Sequence, residues 1–200
     1  MPKRAPEYLS ARREEVLAGA RRSFARWGFE GATIPRLEAE IGLSHGAIFN
    51  YFDNKLELFL ELARREHERW DAIWRAGGFE ALARAIADED ADWIAVHLEF
   101  ERRVRTDAEL YARVRAELGD GAEEVAWVEG EQAAGRVRDD VPAREIFAFL
   151  HVMLDGLAVA RTSPSARIEL EPILELTRDA IAPPRSRRAT SAGSRPRTRA

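Results

Sequence analysis

Between Thr33 and Lys55 the chain gathers side chains suited to touching a nucleic acid, and the run from Leu43 to Phe52 carries no acidic residue. Ser44 stands where an N-cap would start a short helix, and the free N–H groups of a helix start can hold a phosphate. Thr33 can do the same one helix earlier. His45 and Asn50 can hydrogen-bond base edges or phosphates. Gly46 and Ala47 allow close approach, and the Ala47 methyl can meet a thymine methyl. Tyr51, Lys55 and Arg36 offer a hydroxyl and two cations to the DNA backbone. Phe49 belongs to the same surface, although Phe49 and Tyr51 can equally pack the domain. Ile48 and Phe52 read as core.

These residues need a frame of helices. Ile34, Leu37 and Ile41 form the apolar stripe of one short helix, Gly42-Leu43-Ser44 makes a turn, and a second short helix runs from His45 to Tyr51. A longer helix precedes them, from about Tyr8 to Trp27, with Val16, Leu17, Ala20 and Phe24 on one face and Gly28 as its C-cap. Pro35 fits a first helical turn. A fourth helix starts near Asp53 or Asn54, runs to about Arg75, and breaks at Gly77-Gly78. Further helices are expected over about 79–87, 90–105, 108–134 (disturbed at 119–121), 142–162 and 170–182. The fold class is therefore all-α. Residues 1–55 read as a three-helix helix-turn-helix DNA-binding domain, which a long helix joins to a second helical domain over 56–182, the half to which the resemblance described below assigns effector binding and dimerisation. The last stretch, 183–200, is a basic tail with no large apolar residue, unable to fold alone.

Composition excludes several classes. The 200 residues contain no Cys and four His, which removes disulfides, thiolate catalysis and cysteine zinc sites. There is no HExxH, phosphate-binding Gly loop or nucleophile elbow, so no enzyme, cofactor or metal is expected. No apolar run is long enough for a membrane span and no secretory signal opens the chain, so a cytoplasmic protein with no membrane partner is expected. Charge is uneven. Residues 1–57 carry nine basic and eight acidic groups, 58–182 carry sixteen against twenty-seven, and 183–200 carry six Arg and no acid. An acidic middle repels phosphate, which confines DNA contact to the N-terminal part and the tail.

The stretch from Arg12 to Phe59 resembles the DNA-binding domain of the TetR family of bacterial transcriptional regulators. The resemblance rests on Arg13, Ala20, Phe24, Gly28, Gly31, Ala32-Thr33, Ile41-Gly42-Leu43-Ser44, Gly46-Ala47-Ile48-Phe49, Tyr51-Phe52, Lys55 and Leu58. It implies about nine helices, a homodimer, a palindromic operator in double-stranded DNA, and a small-molecule effector bound in the C-terminal half. Two positions depart from the family habit: Phe49 where Tyr is frequent, and Tyr51 where His is frequent. The Asp92–Glu99 run with Arg105-Thr106-Asp107 looks like the aconitase-repressor branch, which would make the effector a tricarboxylate such as citrate.

One reading helix covers only a few base pairs, so specific binding asks for two copies on adjacent half-sites. The expected dimer surface is a pair of stripes on the last two helices: Phe147, Leu150, Leu154, Leu157 and Ala158 on one, Ile173, Leu174, Thr177 and Ile181 on the other. The alternative is that these stripes fill an intramolecular core. For the effector, Trp93, His97 and Glu101 follow one another at i+4 spacing on or beside an apolar face, and Asp155 interrupts the apolar run 153–159. Each could line a pocket. A satisfied core histidine is the commoner outcome for such a position. The rival function is a DNA-binding dimer with no effector, architectural or answering to a protein partner. A closed, fully packed C-terminal half would favour it; an open cavity with unpaired polar groups would favour a sensor.

Overall fold

The computed structural model describes residues 6–119 and 121–184, so the basic tail beyond Pro184 lies outside the described residues. Among these there are nine helices and no strand. The first, α1 (Pro6–Gly31), buries Val16, Leu17, Ala20 and Phe24 on one side. At Gly28 the backbone swings to φ 70°, ψ 172°, which stops the regular helix as expected and leaves one further turn. α2 (Ile34–Ile41) has Pro35 in its first turn and ends on Gly42 in the left-handed region at φ 76°.

The reading helix α3 spans His45–Ile48, three residues fewer than expected. The Tyr51 N–H bonds the Ile48 carbonyl at 3.1 Å, three residues back rather than four. That tighter turn draws Phe52 into the core, where it is 6% exposed.

α4 (Lys55–Asp88) is the long connector. The Asn54 side chain accepts the Glu57 N–H at its start, and Gly78 at φ 62° divides it where the sequence indicated. A side chain at Gly78 would run into the Trp127 ring. Then follow α5 (Ala91–Thr106), α6 (Ala108–Leu118), α7 (Ala122–Ala133), α8 (Ala143–Arg161) and α9 (Leu170–Ile181).

Two cores hold these elements. The first joins α1–α3 and the start of α4 to Trp93, Val96 and Phe100 of α5 and Leu110 of α6. Each large apolar side chain so buried contributes about 1.5–3 kcal/mol. The second joins the rest of α4 to α7, α8 and α9. Packing is thus continuous across residue 55, with α5 serving both cores.

The second core corrects the expected dimer stripe. Leu150, Leu154 and Leu157 of α8, with Leu174 and Thr177 of α9, are buried within the chain. Phe147, Ala158 and Ile181 are partly buried against the same cluster. The intramolecular alternative holds for these positions, because α8 turns this face towards α4, α5 and α7. Ile173 is half-buried at the margin. The large apolar residues that α8 and α9 leave exposed are Phe149, Val152, Val159 and Leu176.

Candidate nucleic-acid interface and effector cavity

The helix-turn-helix presents Thr33, Arg36, Ser44, His45, Gly46 and Asn50 as exposed residues, with Ala47, Phe49, Tyr51 and Lys55 partly buried. Open space surrounds Gly46, so a surface can approach its backbone closely. The His45 and Phe49 rings meet edge to face at 4.7 Å. Phe49 and Tyr51 both pack against the first core, so their rings are structural whatever else they do.

Three expectations need correction. Ser44 and Thr33 sit at N-cap positions, but neither side chain caps its helix. At α3 the His45 N–H instead donates to the carboxylate of Glu38, from the preceding helix. Lys55 does not reach outward: its Nζ donates to the Phe29 carbonyl at 2.8 Å and lies over the Phe29 ring. Burial pulls the Lys55 pKa down from its ordinary value. Arg36 is exposed but engaged, donating to the Gly31 carbonyl at 2.8 Å and stacking on Trp27.

A cavity of about 240 Å³ lies between α4, α5 and α6. Leu60, Ala63, Phe100, Val104, Val114 and Leu118 form its apolar wall. Glu66, His67, Trp70, His97, Glu101, Arg105, Tyr111 and Glu117 supply its polar groups. A second cavity of about 300 Å³ adjoins it, sharing His67, Trp70 and Leu118 and reaching Trp74, Arg115 and His151.

His97 lines the first cavity. Its Nδ1 lies 3.1 Å from the Trp93 carbonyl oxygen, while Nε2 is buried with no hydrogen-bond partner. Burial lowers its pKa, so the ring is neutral. A carbonyl can only accept, so Nδ1 carries the proton and Nε2 offers a lone pair. Trp70 and Trp74 also hold buried indole N–H groups without partners. Trp93 is 1% exposed and buttresses His97, its ring 4.6 Å away, without lining the cavity.

Glu101 lines the cavity and pairs with Arg105 at 3.3 Å; burial, and then the nearby Asp155, raise its pKa. Asp155 itself is exposed on α8, 3.8 Å from His151, and lines neither cavity. Sequence spacing on one helix could not reveal Glu66, Trp70 and Tyr111, which other helices bring to the same space.

A short helix-turn-helix head with an exposed reading surface, set on a helical body with a cavity between α4, α5 and α6, is the build of a DNA-binding transcriptional regulator. Residues 16–62 match the family model described as bacterial regulatory proteins, tetR family. The HTH-type transcriptional repressor Rv1474c of Mycobacterium tuberculosis is 38% identical over 186 residues, covering 90% of this chain and 98% of that protein. The HTH-type transcriptional repressor AcnR of Corynebacterium diphtheriae is 37% identical over 178 residues, covering 86% and 93%. Among solved structures, Salmonella enterica GusR shares the fold with a TM-score of 0.67 at 20% identity, covering 85% of this chain and 94% of that one. The chain belongs to the TetR family. It is a transcriptional regulator, the class that its relatives' names give. Among the described residues no helix is long and apolar enough to cross a membrane.

Proposed function

We propose that this regulator acts as a homodimeric repressor of a palindromic operator, released when a small molecule fills the cavity between α4, α5 and α6. The observation that carries the sensing half is the buried, unpartnered Nε2 of His97 on a cavity wall. A buried acceptor left without a donor costs about 1–3 kcal/mol. An occupant that donates a hydrogen bond removes that cost.

The surface formed by Ser44, His45, Gly46, Ala47 and Asn50, with the Tyr51 hydroxyl, is the part proposed to meet DNA. Residues 1–55 then act as the reading domain and 56–182 as the sensing and dimerising one. The dimer face proposed is the exposed stripe of Phe149, Val152 and Val159 with Leu176, the last 70% exposed. Phe149, Val152 and Val159 fall on one side of α8 and Leu176 lies on α9, and an apolar stripe of this kind suits a second copy of itself.

The occupant is a compact molecule with a hydroxyl or N–H group directed at His97 and an apolar body against Phe100 and Val104. Citrate, the tricarboxylate suggested by the aconitase-repressor resemblance, has one such hydroxyl, and Arg105 can pair with one carboxylate. Glu66, Glu101 and Glu117 on the same wall oppose the other two. Capture of bound genomic DNA identifies the operator, and titration of its complex with citrate then decides. Release at saturating citrate supports the tricarboxylate; undisturbed binding excludes it and leaves the uncharged hydrogen-bond donor. A strictly monomeric protein in sedimentation would remove the dimer.

A further inference from the structure

The last turn of α1, at Phe29 and Glu30, is held in large part by side chains of α5 and of the start of α4. At Gly28 the helix stops, which leaves the next N–H groups without partners along α1. Glu99, on α5, supplies them: its Oε2 accepts the Phe29 N–H at 3.1 Å and its Oε1 the Glu30 N–H at 3.4 Å. Gly28 is required here twice over, since its φ is positive and a Cβ would lie 2.6 Å from Glu99 Oε2.

The carbonyl of Phe29 is taken by Lys55 of α4. The Glu30 carboxylate is taken by Arg103 of α5 at 2.8 Å. The Phe29 ring packs against Phe100 of α5, centroids 5.6 Å apart. One dipeptide is therefore clamped through its amides, a carbonyl, its acid and its ring.

We propose that Glu99 is a positioning residue for DNA reading: from α5 its carboxylate latches the Phe29–Glu30 turn and so sets the pose of the helix-turn-helix head on the body. Two N–H groups held by one carboxylate fix direction as well as distance, and bonds to a charged acceptor are the stronger kind. In a dimer, that pose sets the separation of the two reading helices. The neighbouring residue, Phe100, lines the cavity and also touches Phe29. A shift of α5 on occupancy thus reaches the latch within one residue. This last link rests on the cavity being the effector site; the latch itself does not.

The test uses the full chain and no effector, so failure of the sensing reading leaves it untouched. Operator duplex is obtained by selection from random DNA with the wild-type protein. In Glu99→Ala, hydrogen exchange of the Phe29 and Glu30 amides should rise about tenfold or more, and operator affinity should fall about tenfold, with the α8–α9 amides unchanged. Glu99→Gln keeps an acceptor oxygen and should recover most of both effects. If the alanine variant does not fold, the glutamine variant decides, with smaller changes in the same direction at an unchanged melting temperature. Wild-type exchange at both amides overturns the latch, and so does freed exchange with undiminished operator affinity.

Discussion

The His97 Nδ1 stands 3.1 Å from the carbonyl oxygen of Trp93, one turn back along α5, and that hydrogen bond fixes the tautomer, leaving Nε2 as the acceptor. Burial is the main reason its pKa is depressed; the hydrogen bond to the carbonyl works the other way. The unfolded chain takes up a proton near the ordinary histidine value while the folded chain resists. The stabilisation is therefore full above about pH 6.5 and is lost as pH falls through the depressed folded value. Urea midpoints should drop between pH 7.5 and 5.5, and His97→Phe should reduce that drop. An identical pH slope in the variant would show that His97 takes its proton freely when folded.

Glu61 loses its contribution in the same direction of pH but for a different cause. Burial would raise its pKa, but Arg13, Arg64 and Arg65 donate to it at 2.9, 3.0 and 2.9 Å and hold it at about 2. A depressed carboxylate stabilises the fold above its unfolded value, near 4.5, and that contribution disappears as pH falls towards 2. Because the arginines are partly exposed, the shift is discounted to about 1–2 kcal/mol. Glu61→Gln should therefore lower stability at pH 7 and converge with the wild type in acid. A gap that persists at pH 2 would mean that packing, and not charge, is what the substitution removes.

Most of the fold was legible because its boundaries are local chemistry. Gly28, Gly42 and Gly78 end helical runs through positive φ, and Asn54 caps its own helix through a bond three residues away. What the sequence hid is non-local. Glu38 replaces Ser44 as the partner of the α3 start, and Glu99 reaches the Phe29 amide across seventy residues. Lys55 looked like a phosphate ligand by type and place, yet the nearest acceptor is a carbonyl of its own chain. Periodicity showed that α8 has an apolar face; it could not say which of its apolar residues the chain itself would cover. The place of His97 beside an apolar face was legible because the spacing that sets it is local to α5.

The two faces of α8 and α9 should separate cleanly by mutation. Leu150 and Leu174 are fully buried, so alanine at either should cost about 2–5 kcal/mol of stability. Val152→Glu and Leu176→Glu lie on the exposed face and should leave the melting temperature of the protomer nearly unchanged. They should nonetheless convert a dimer into a monomer in sedimentation velocity and abolish specific operator binding. A dimer that survives both glutamates places the interface elsewhere.

Lys55 offers the sharpest contrast between two kinds of contribution to DNA binding. A side chain that neutralises a phosphate lowers the slope of log affinity against log salt by about 1 when removed. The Lys55 ammonium is already committed to the Phe29 carbonyl, inside the turn that Glu99 also holds. Lys55→Met should therefore weaken operator binding and lower stability while leaving the salt slope intact. Asn50→Ala together with Tyr51→Phe should do the reverse for stability. Asn50 is exposed, and Phe at 51 keeps the ring that packs on the core, so melting is unaffected. Affinity should fall by about 1–3 kcal/mol if the Asn50 amide makes a bidentate pair with a base edge, and further by loss of the Tyr51 hydroxyl from the DNA backbone. If Lys55→Met instead reduces the slope by a full unit at constant stability, the ammonium leaves Phe29 when DNA arrives, and the head is held on α4 by its rings alone.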